Sequence, residues 1–384
     1  MAPNPFRPTF GTSPPLLVGR EAQLDAFAAS LEEGPGSPGR ATVYTGARGV
    51  GKTVMLNAVE DLARQFGWLV VSETATPGLV DRLIRDGLPS ARSLLDGDGA
   101  KRRITGVDLP VVGGGITFDV DQPQSTSTLR GQLTALAIDA EEHDTGVLIT
   151  VDEIQAANID ELRTLATSLQ HAFRENRNIA FVAAGLPAAL EPILNDTVLT
   201  FLRRADRYDL ATVDTADVTE AIDIPIRNAG RSITAAALER AAQATAGYPF
   251  MIQLVGYHSY RQRPDRDSVD TDDVTKGVEA ARRRLGQLVI EPELAGLSDV
   301  DRTFLLAMAH DDGASKMADI QRRLGADVDA NYASQYRLRL ISAEVIVQTK
   351  RGYVDFALPA MRQYLRDHGA LQAQAEHDTS TTPT

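Results

Sequence analysis

Glycines, a lysine and a threonine stand at fixed spacing near the N-terminal end of the chain. In such a run, small glycines let backbone N–H groups curl around phosphates, and the lysine reaches the β- and γ-phosphates of a nucleoside triphosphate. The threonine hydroxyl can ligate the accompanying Mg²⁺. The spacing G-x-x-x-x-G-K-[ST] predicts a phosphate-binding loop rather than an ordinary glycine-rich turn. The residues are Gly46, Ala47, Arg48, Gly49, Val50, Gly51, Lys52 and Thr53.

Two acidic residues close a later apolar segment. Residues 147–151 have the composition of a buried strand, and Asp152 and Glu153 follow directly. Asp152 is placed to hold Mg²⁺ through water, and Glu153 to orient and deprotonate an attacking water molecule. Taken alone, the pair can equally be two surface acids. Beside the phosphate-binding loop, it predicts nucleotide hydrolysis.

Strands that alternate with helices are expected to position these residues. Alternation of this kind predicts an α/β fold with a parallel sheet covered by helices on both faces. The loop then lies between a strand and a helix, as the motif requires. We expect strands at 41–45, 68–72, 147–151 and 179–183, and helices at 21–31, 52–66, 128–142 and 159–175.

The remaining patterns predict further parts of the chain. Five prolines in residues 1–16 predict an extended N-terminal arm, and the polar residues 371–384 predict a disordered tail. The core is expected at 17–212, with an insertion at about 76–125 whose Gly113–Gly115 can turn a hairpin. After Leu210 no strands are expected until the wing: a helical lid covers 213–290, followed by a winged helix-turn-helix domain at 296–370.

Composition excludes several classes of protein. Thirty-nine basic and 52 acidic residues give a net charge of −13, which argues against a chain coated in phosphate-binding charge. There is no cysteine, so disulfides and thiolate metal sites are excluded. No run of about 18 apolar residues predicts a membrane span, and we expect a cytoplasmic protein. Its six histidines are scattered, so the only metal expected is Mg²⁺ bound with nucleotide.

The order of the elements and the two motifs resemble the additional-strand P-loop ATPases, the group that contains the AAA+ ATPases. The run Leu17-Val18-Gly19-Arg20-Glu21 resembles a signature of the origin-recognition-type, STAND and archaeal-type ATPases. The resemblance implies that Val18, Gly19 and Arg20 pack against the base of ATP or ADP. It also implies that Pro249, in Gly247-Tyr248-Pro249, approaches the adenine.

The resemblance has further implications for hydrolysis. Arg203 and Arg204 fall where these families carry an arginine, and can act as an arginine finger or else form a solvated pair that partners Asp206 and Asp209. The segment Ala183-Ala184-Gly185 stands where a polar sensor residue is usual in AAA+ proteins. Phe250 and Met251 stand where an origin-recognition protein has a sensor arginine. These departures predict slow hydrolysis.

The winged helix allows two outputs. Its recognition helix and wing can contact double-stranded DNA, or the domain can serve protein contact or packing on the ATPase core. Two hypotheses follow: an ATP-driven switch that acts on DNA, and a signalling or scaffold ATPase whose nucleotide state controls self-association or association with another protein. A third is a module that binds nucleotide and hardly hydrolyses it. The candidate DNA-contacting residues are Asn331, Gln335, Arg337, Arg339, Lys350 and Arg351.

Overall fold

The computed structural model describes residues 3–9, 11–95, 128–187, 190, 193, 199–325 and 330–368. The chain divides into two compact units. We call residues 20–46 and 52–209 the sheet unit, and residues 1–19, 47–51 and 210–384 the helical unit. The expected hairpin at Gly113–Gly115 and the expected tail at 371–384 lie outside the described residues.

A parallel five-stranded sheet forms the centre of the sheet unit. Its strand order is β2-β3-β4-β1-β5, and all neighbouring strands run parallel. Consecutive residues of β3 and β4 are buried, so both faces of the sheet are covered. The predicted P-loop NTPase core is confirmed. Its strands are β1 (Ala41–Thr45), β2 (Leu69–Thr74), β3 (Val147–Asp152), β4 (Ile179–Gly185) and β5 (Asp206–Asp209).

Two helices of the sheet unit start where a side chain caps them. The Thr128 hydroxyl accepts a hydrogen bond from the Gly131 N–H at the start of α5. The side-chain oxygen of Asn158 accepts one from the Asp160 N–H at the start of α6. Each cap satisfies a backbone donor that the helix leaves unpaired. The helices are α1 (Glu21–Glu33), α2 (Lys52–Gln65), α3 (Leu79–Arg82), α4 (Leu88–Ser93), α5 (Leu129–Glu142) and α6 (Ile159–Arg174).

The described part of the expected insertion is not a separate excursion. Helices α3 and α4 are joined by a π-helical turn at Leu83–Gly87. Three leucines and an alanine of this segment are buried in the hydrophobic core of the sheet unit: Leu79, Leu83, Leu88 and Ala91. Residues 79–93 therefore belong to the core, and residues 96–125 of the expected insertion lie outside the described residues.

Four helices form the lid portion of the helical unit. Among the described lid residues, a two-stranded parallel sheet, β6 (Ser232–Ile233) with β7 (Ser268–Val269), joins the helices. The expectation that no strands occur in this region was therefore wrong. The Asp270 carboxylate caps the last of these helices in a capping box with Asp273. The helices are α7 (Thr215–Asn228), α8 (Ala235–Thr245), α9 (Pro249–Tyr260) and α10 (Thr271–Leu285).

The N-terminal arm is packed rather than merely extended. Phe6 is only 2% exposed and belongs to the hydrophobic core of the helical unit. The Asn4 side-chain amide donates to the Tyr257 carbonyl at 3.0 Å, and the Arg7 N–H donates to Gln253 Oε1 at 3.1 Å. In residues 3–9 and 11–16 the arm has neither helix nor strand, as its proline-rich composition predicts, but the composition does not predict this docking on α9.

A winged helix completes the helical unit. It contains a three-stranded sheet in the order β8-β10-β9, in which β8 precedes α13 and α14 along the chain, and a last helix, α15, covers residues 359–368. The predicted winged helix is confirmed, with β8 as a strand that the sequence pattern missed. The elements are α11 (Glu291–Ala295), α12 (Asp299–Ala309), β8 (Ser315–Lys316), α13 (Met317–Leu324), α14 (Ala330–Ser342), β9 (Ile346–Lys350) and β10 (Tyr353–Phe356).

None of the helices in the described ranges combines the length and the apolar character that a membrane span requires.

Candidate functional site

Three strand ends meet at one edge of the sheet. Strand β4 pairs with β1 on one side and with β3 on the other, and all three run in the same direction. Gly46 follows β1, Asp152 ends β3 and Gly185 ends β4. Carboxyl ends of parallel strands are where open α/β sheets bind their ligands. The topology therefore brings the phosphate-binding motif and the acidic pair to the same edge.

The predicted metal ligands are in direct contact. The Thr53 hydroxyl donates a hydrogen bond to Asp152 Oδ2 at 2.6 Å. Lys52, on the same first turn of α2, is 6% exposed and donates through Nζ to the Gly46 carbonyl at 2.9 Å. These contacts join α2 to the ends of β1 and β3.

The donor set at this edge fits Mg²⁺. Mg²⁺ takes oxygen ligands and commonly uses one or two protein groups together with phosphate oxygens and water. Thr53 and Asp152 supply one hydroxyl and one carboxylate, already adjacent. Within the described ranges, no group of three or more His, Asp or Glu side chains forms a dedicated metal cage. The site is thus suited to a cation that arrives with nucleotide.

Glu153 lies in an unusual backbone conformation. Its φ is 51°, in the left-handed region that residues other than glycine seldom adopt. Its N–H donates to Asp152 Oδ1 at 2.8 Å, and its carboxylate accepts a hydrogen bond from the Gln155 amide. Gln155 was not among the predicted residues. Strain of this kind is common at functional sites, where the surrounding structure maintains it.

The middle of the phosphate-binding loop, residues 47–51, contacts Tyr248 inside the helical unit. Gly49 has a φ of 74°, and a Cβ on it would overlap the Tyr248 hydroxyl. That hydroxyl donates to the Arg48 carbonyl at 3.1 Å. Tyr248 is 3% exposed, and burial raises the pKa of its phenol. A glycine is therefore required at 49 both for its backbone conformation and for space.

Glu293 provides an acid beside the same loop. The Arg48 guanidinium lies 3.7 Å from the Glu293 carboxylate, whose side chain is 13% exposed. Burial raises the pKa of Glu293, and the positive charge of Arg48 acts in the opposite direction. No sequence signal indicates this pair, because Glu293 is remote from the loop along the chain.

Of the residues expected at the base of the nucleotide, Val18, Gly19 and Pro249 belong to the helical unit. Val18 is buried, and a Cβ on Gly19 would lie 2.8 Å from Asp217 Oδ2. Pro249 is the first residue of α9, where its missing N–H is not needed. Arg20, in the sheet unit, is 8% exposed. Contact of Val18, Gly19, Arg20 and Pro249 with adenine stays a prediction.

Arg203 and Arg204 end a short 3₁₀ helix, Leu199–Arg204, just before β5. Both are exposed. Asp209, in the following strand, accepts a hydrogen bond from the Thr45 hydroxyl at 3.1 Å. The arginine-finger role stays a prediction.

Most of the predicted DNA-contacting cations have partners within the domain. Arg337 donates to Gln348 at 3.0 Å, and Lys350 lies 4.2 Å from the centre of the Tyr353 ring. Arg339 donates through Nε to Asp301 at 2.9 Å. Asp301 is 3% exposed, so Arg339 pairs with a buried carboxylate, while its own side chain is 51% exposed. Contact of these cations with DNA stays a prediction.

Other predicted residues of the winged helix are open to solvent. Asn331 and Gln335 lie one helical turn apart on α14 and are exposed, as is Arg351 in the turn between β9 and β10. Leu338, on the same side of α14 as Gln335, is 58% exposed. The exposed residues of α14 therefore include polar side chains as well as the apolar Leu338.

Residues 16–182 match the sequence model of the AAA ATPase domain. Residues 16–182 are therefore similar in sequence to the AAA ATPase domain family. Residues 287–365, which include the winged helix, match a family described as a domain of unknown function (DUF8462). No curated protein matches the chain.

Two solved structures share the fold over nearly the whole chain. One is a Walker-type ATPase of Pyrococcus abyssi, with a TM-score of 0.64 and 17% identity, covering 91% of this chain and 96% of its own. The other is the ORC2 protein of Aeropyrum pernix in its ADPNP-ADP complexes, with a TM-score of 0.61 and 16% identity, covering 97% and 98%. The predicted resemblance to AAA+ ATPases of the origin-recognition type is confirmed at the level of fold.

Proposed function

We propose that the chain is a MgATP-binding switch that hydrolyses ATP slowly. The main observation that supports this proposal is the hydrogen bond between Thr53 and Asp152, with Glu153 next in sequence. This contact joins the phosphate-binding helix to the acidic pair, as metal-assisted hydrolysis requires. The ADPNP and ADP named for the Aeropyrum pernix ORC2 protein support a nucleotide ligand. The compartment we propose is the cytoplasm, where ATP is available.

Each residue has a defined task in this reaction. The glycine-rich loop and Lys52 bind the β- and γ-phosphates, and Thr53 and Asp152 hold the metal ion. Mg²⁺, when bound, neutralises charge on the phosphates and favours attack at the γ-phosphorus. Glu153 orients a water molecule and accepts its proton as the oxygen bonds to phosphorus and the bond to ADP breaks. The products are ADP and phosphate.

Slow turnover follows from two absent side chains. Strand β4 ends in Ala183, Ala184 and Gly185, which have no polar group to orient water. Phe250 and Met251, at the start of α9, are 9% and 3% exposed and belong to the hydrophobic core of the helical unit. Neither can supply a cation to the phosphates.

Phosphate release by the wild-type protein and by Glu153→Gln tests this proposal. The substitution should lower kcat by at least about a hundredfold, because general-base catalysis contributes that much. The ATP affinity should be retained. Glu32→Gln, on the exposed face of α1, is the matched control and should leave turnover unchanged. Equal turnover in wild type and Glu153→Gln would contradict hydrolysis at this site.

We further propose that the winged helix contacts duplex DNA. Asn331 and Gln335 are exposed on α14, the helix that enters the major groove in DNA-binding winged helices, and Arg351 is exposed at the wing. Arg339 should be left intact in any test, because its loss leaves the buried Asp301 without its cation.

Arg351→Glu is expected to weaken DNA binding. The slope of log affinity against log salt concentration should fall by the amount that corresponds to about one phosphate contact. Arg351→Lys keeps the charge and is the control, with affinity close to wild type. Gln335→Ala should weaken binding to the DNA sequences that the wild type prefers and leave binding to other sequences unchanged, because base contacts carry specificity. Unchanged affinity in Arg351→Glu would contradict a role for the wing in DNA binding.

Exposed apolar side chains favour a second candidate, nucleotide-controlled association with protein. Leu338 is 58%, Val347 42% and Tyr332 39% exposed on α14 and β9. Apolar groups at such positions are typical of protein interfaces when they form a continuous patch. Under this alternative, Leu338→Glu should abolish ATP-dependent association seen by sedimentation, whereas Arg351→Glu should not affect it.

A further inference from the structure

Gln155 lies two residues after the proposed base, in the 3₁₀ turn Ile154–Ala156. Its side-chain NH₂ group donates to Glu153 Oε2. Its side-chain oxygen accepts the backbone N–H of Leu186 at 3.1 Å. Leu186 directly follows β4. One amide side chain therefore joins the proposed base, after β3, to the end of the neighbouring strand.

A side chain at Gly185, the last residue of β4, would meet Gln155. A Cβ placed on Gly185 would lie 2.7 Å from Gln155 Oε1 and 2.8 Å from Ile154 Cγ2. Such distances are shorter than any normal carbon contact. The space that a longer residue at position 185 would need is therefore filled by Gln155. Strand β4 therefore ends without a polar side chain, and Gln155 occupies the adjacent space instead.

The two carboxylate oxygens of Glu153 differ in their hydrogen bonding. Oε2 accepts from Gln155, whereas Oε1 has no hydrogen bond to any residue in the described part of the chain. The backbone of Glu153 is fixed by its left-handed φ and by its N–H bond to Asp152. A general base needs one oxygen that is available to the water and a side chain held in place. Gln155 holds the Glu153 side chain in place through Oε2 and leaves Oε1 available to the water.

We propose that Gln155 is a positioning residue for ATP hydrolysis. It holds Glu153 through Oε2, leaves Oε1 to accept the proton of the attacking water, and ties this geometry to the end of β4 through Leu186. The inference rests on the proposed function, because it concerns the same reaction. It assigns to a residue in the turn after β3 the task that a polar residue on β4 would otherwise perform.

Two substitutions at Gln155 separate its hydrogen bonds. Gln155→Glu keeps an acceptor for the Leu186 N–H but loses the donor to Glu153, and places a second carboxylate beside it. Gln155→Leu loses both bonds at similar volume. The control is Gln170→Glu, the same change in charge on the exposed face of α6. For each protein, kcat and KM, the Kd for MgATP and the thermal unfolding midpoint are measured.

We expect both Gln155 variants to lower kcat by at least about tenfold, because they disturb a base whose full contribution is about a hundredfold or more. KM, the MgATP affinity and the unfolding midpoint should stay at wild-type values, as should every property of Gln170→Glu. Wild-type kcat in Gln155→Leu overturns the proposal. A parallel loss of affinity and stability also overturns it, because Gln155 would then be structural.

The wild type and Glu153→Gln, measured in the same series, separate this proposal from the function on which it rests. Turnover that is lost in Glu153→Gln and kept in Gln155→Leu removes only the role of Gln155. Turnover that is absent, or that Glu153→Gln leaves intact, contradicts the hydrolysis reaction and removes the role of Gln155 with it.

Discussion

At the scale of single residues, the hydroxyl of Thr53 should determine how strongly Mg²⁺ contributes to ATP binding. Thr53→Val keeps the shape but removes the donor to Asp152 and the metal ligand. The gain in ATP affinity on adding Mg²⁺ should fall by at least about tenfold, as is typical when a side chain that supports a metal site is lost. Calorimetric titration with ATP, in Mg²⁺ and in EDTA, measures that gain.

Thr53→Ser is the control, because serine retains the hydroxyl. It should keep most of the Mg²⁺-dependent affinity. If Thr53→Val and Thr53→Ser respond to Mg²⁺ alike, the hydroxyl does not support the metal.

Glu293 should make the stability of the protein depend on pH. Burial raises the pKa of this carboxyl above its ordinary 4.5, so the folded state binds its proton more tightly than the unfolded state does. The charged form therefore destabilises the fold at pH values above the raised pKa, and this effect disappears as the pH falls towards 4.5. Glu293→Gln should accordingly be more stable than wild type at neutral pH.

Urea unfolding of wild type and Glu293→Gln across this pH range checks the prediction. The difference in the free energy of unfolding should shrink on acidification. Glu220→Gln, exposed on α7, should show no such difference. A wild type more stable than Glu293→Gln at neutral pH would mean that the attraction of Arg48 outweighs burial.

Residues of the two motifs could be predicted from the sequence because their spacing along the chain encodes their chemistry. Lys52, Thr53, Asp152 and Glu153 are of this kind, and the structure brings Thr53 to Asp152 as expected. Tyr248 and Glu293 could not be predicted as neighbours of the phosphate-binding loop. Their contacts depend on folding of residues about 200 or more positions away, for which the local pattern carries no signal.

At the scale of secondary-structure elements, the N-terminal arm should depend on a glycine in α9. A Cβ on Gly256 would overlap the ring of Phe6. Gly256→Ala should therefore displace the arm and destabilise the protein by about 1–3 kcal/mol, the usual range for overpacking a core. Hydrogen exchange of residues 3–9 and the free energy of unfolding together report the change.

The same substitution in a Phe6→Ala background provides the control. With the ring removed, Gly256→Ala should cost little further stability, because the added methyl group then has space. Equal losses in both backgrounds would show that the arm does not pack through this contact.

Helices and strands with regular apolar spacing were predictable, and the exceptions have physical causes. The π turn at Leu83–Gly87 shifts the helical phase, so the buried residues of α3 and α4 do not follow one period. Strand β5 reads Asp-Arg-Tyr-Asp, with only partly buried and exposed residues. It is an edge strand that pairs with β1 alone, and such a strand need not be apolar.

At the scale of the whole molecule, the strand order and the boundaries of the two units could not be predicted from the local sequence pattern. That β4 lies between β1 and β3 is set by long-range pairing, although the resemblance to additional-strand ATPases pointed to it. One hydrophobic cluster includes Phe6 of the arm, Val255 of the lid and Phe304 of the winged helix. The lid and winged helix, expected as separate domains, therefore share a continuous core.

The central claim is that nucleotide controls the output of the winged helix. The most direct test is the affinity of Glu153→Gln for labelled duplex DNA, with MgATP and with MgADP, at two salt concentrations. This variant should hold ATP without consuming it. We predict binding at least about fivefold tighter with ATP, within the usual range of coupling between two sites, and weaker at high salt. Equal affinity in the two nucleotide states, or no binding in either, would contradict a DNA-acting switch.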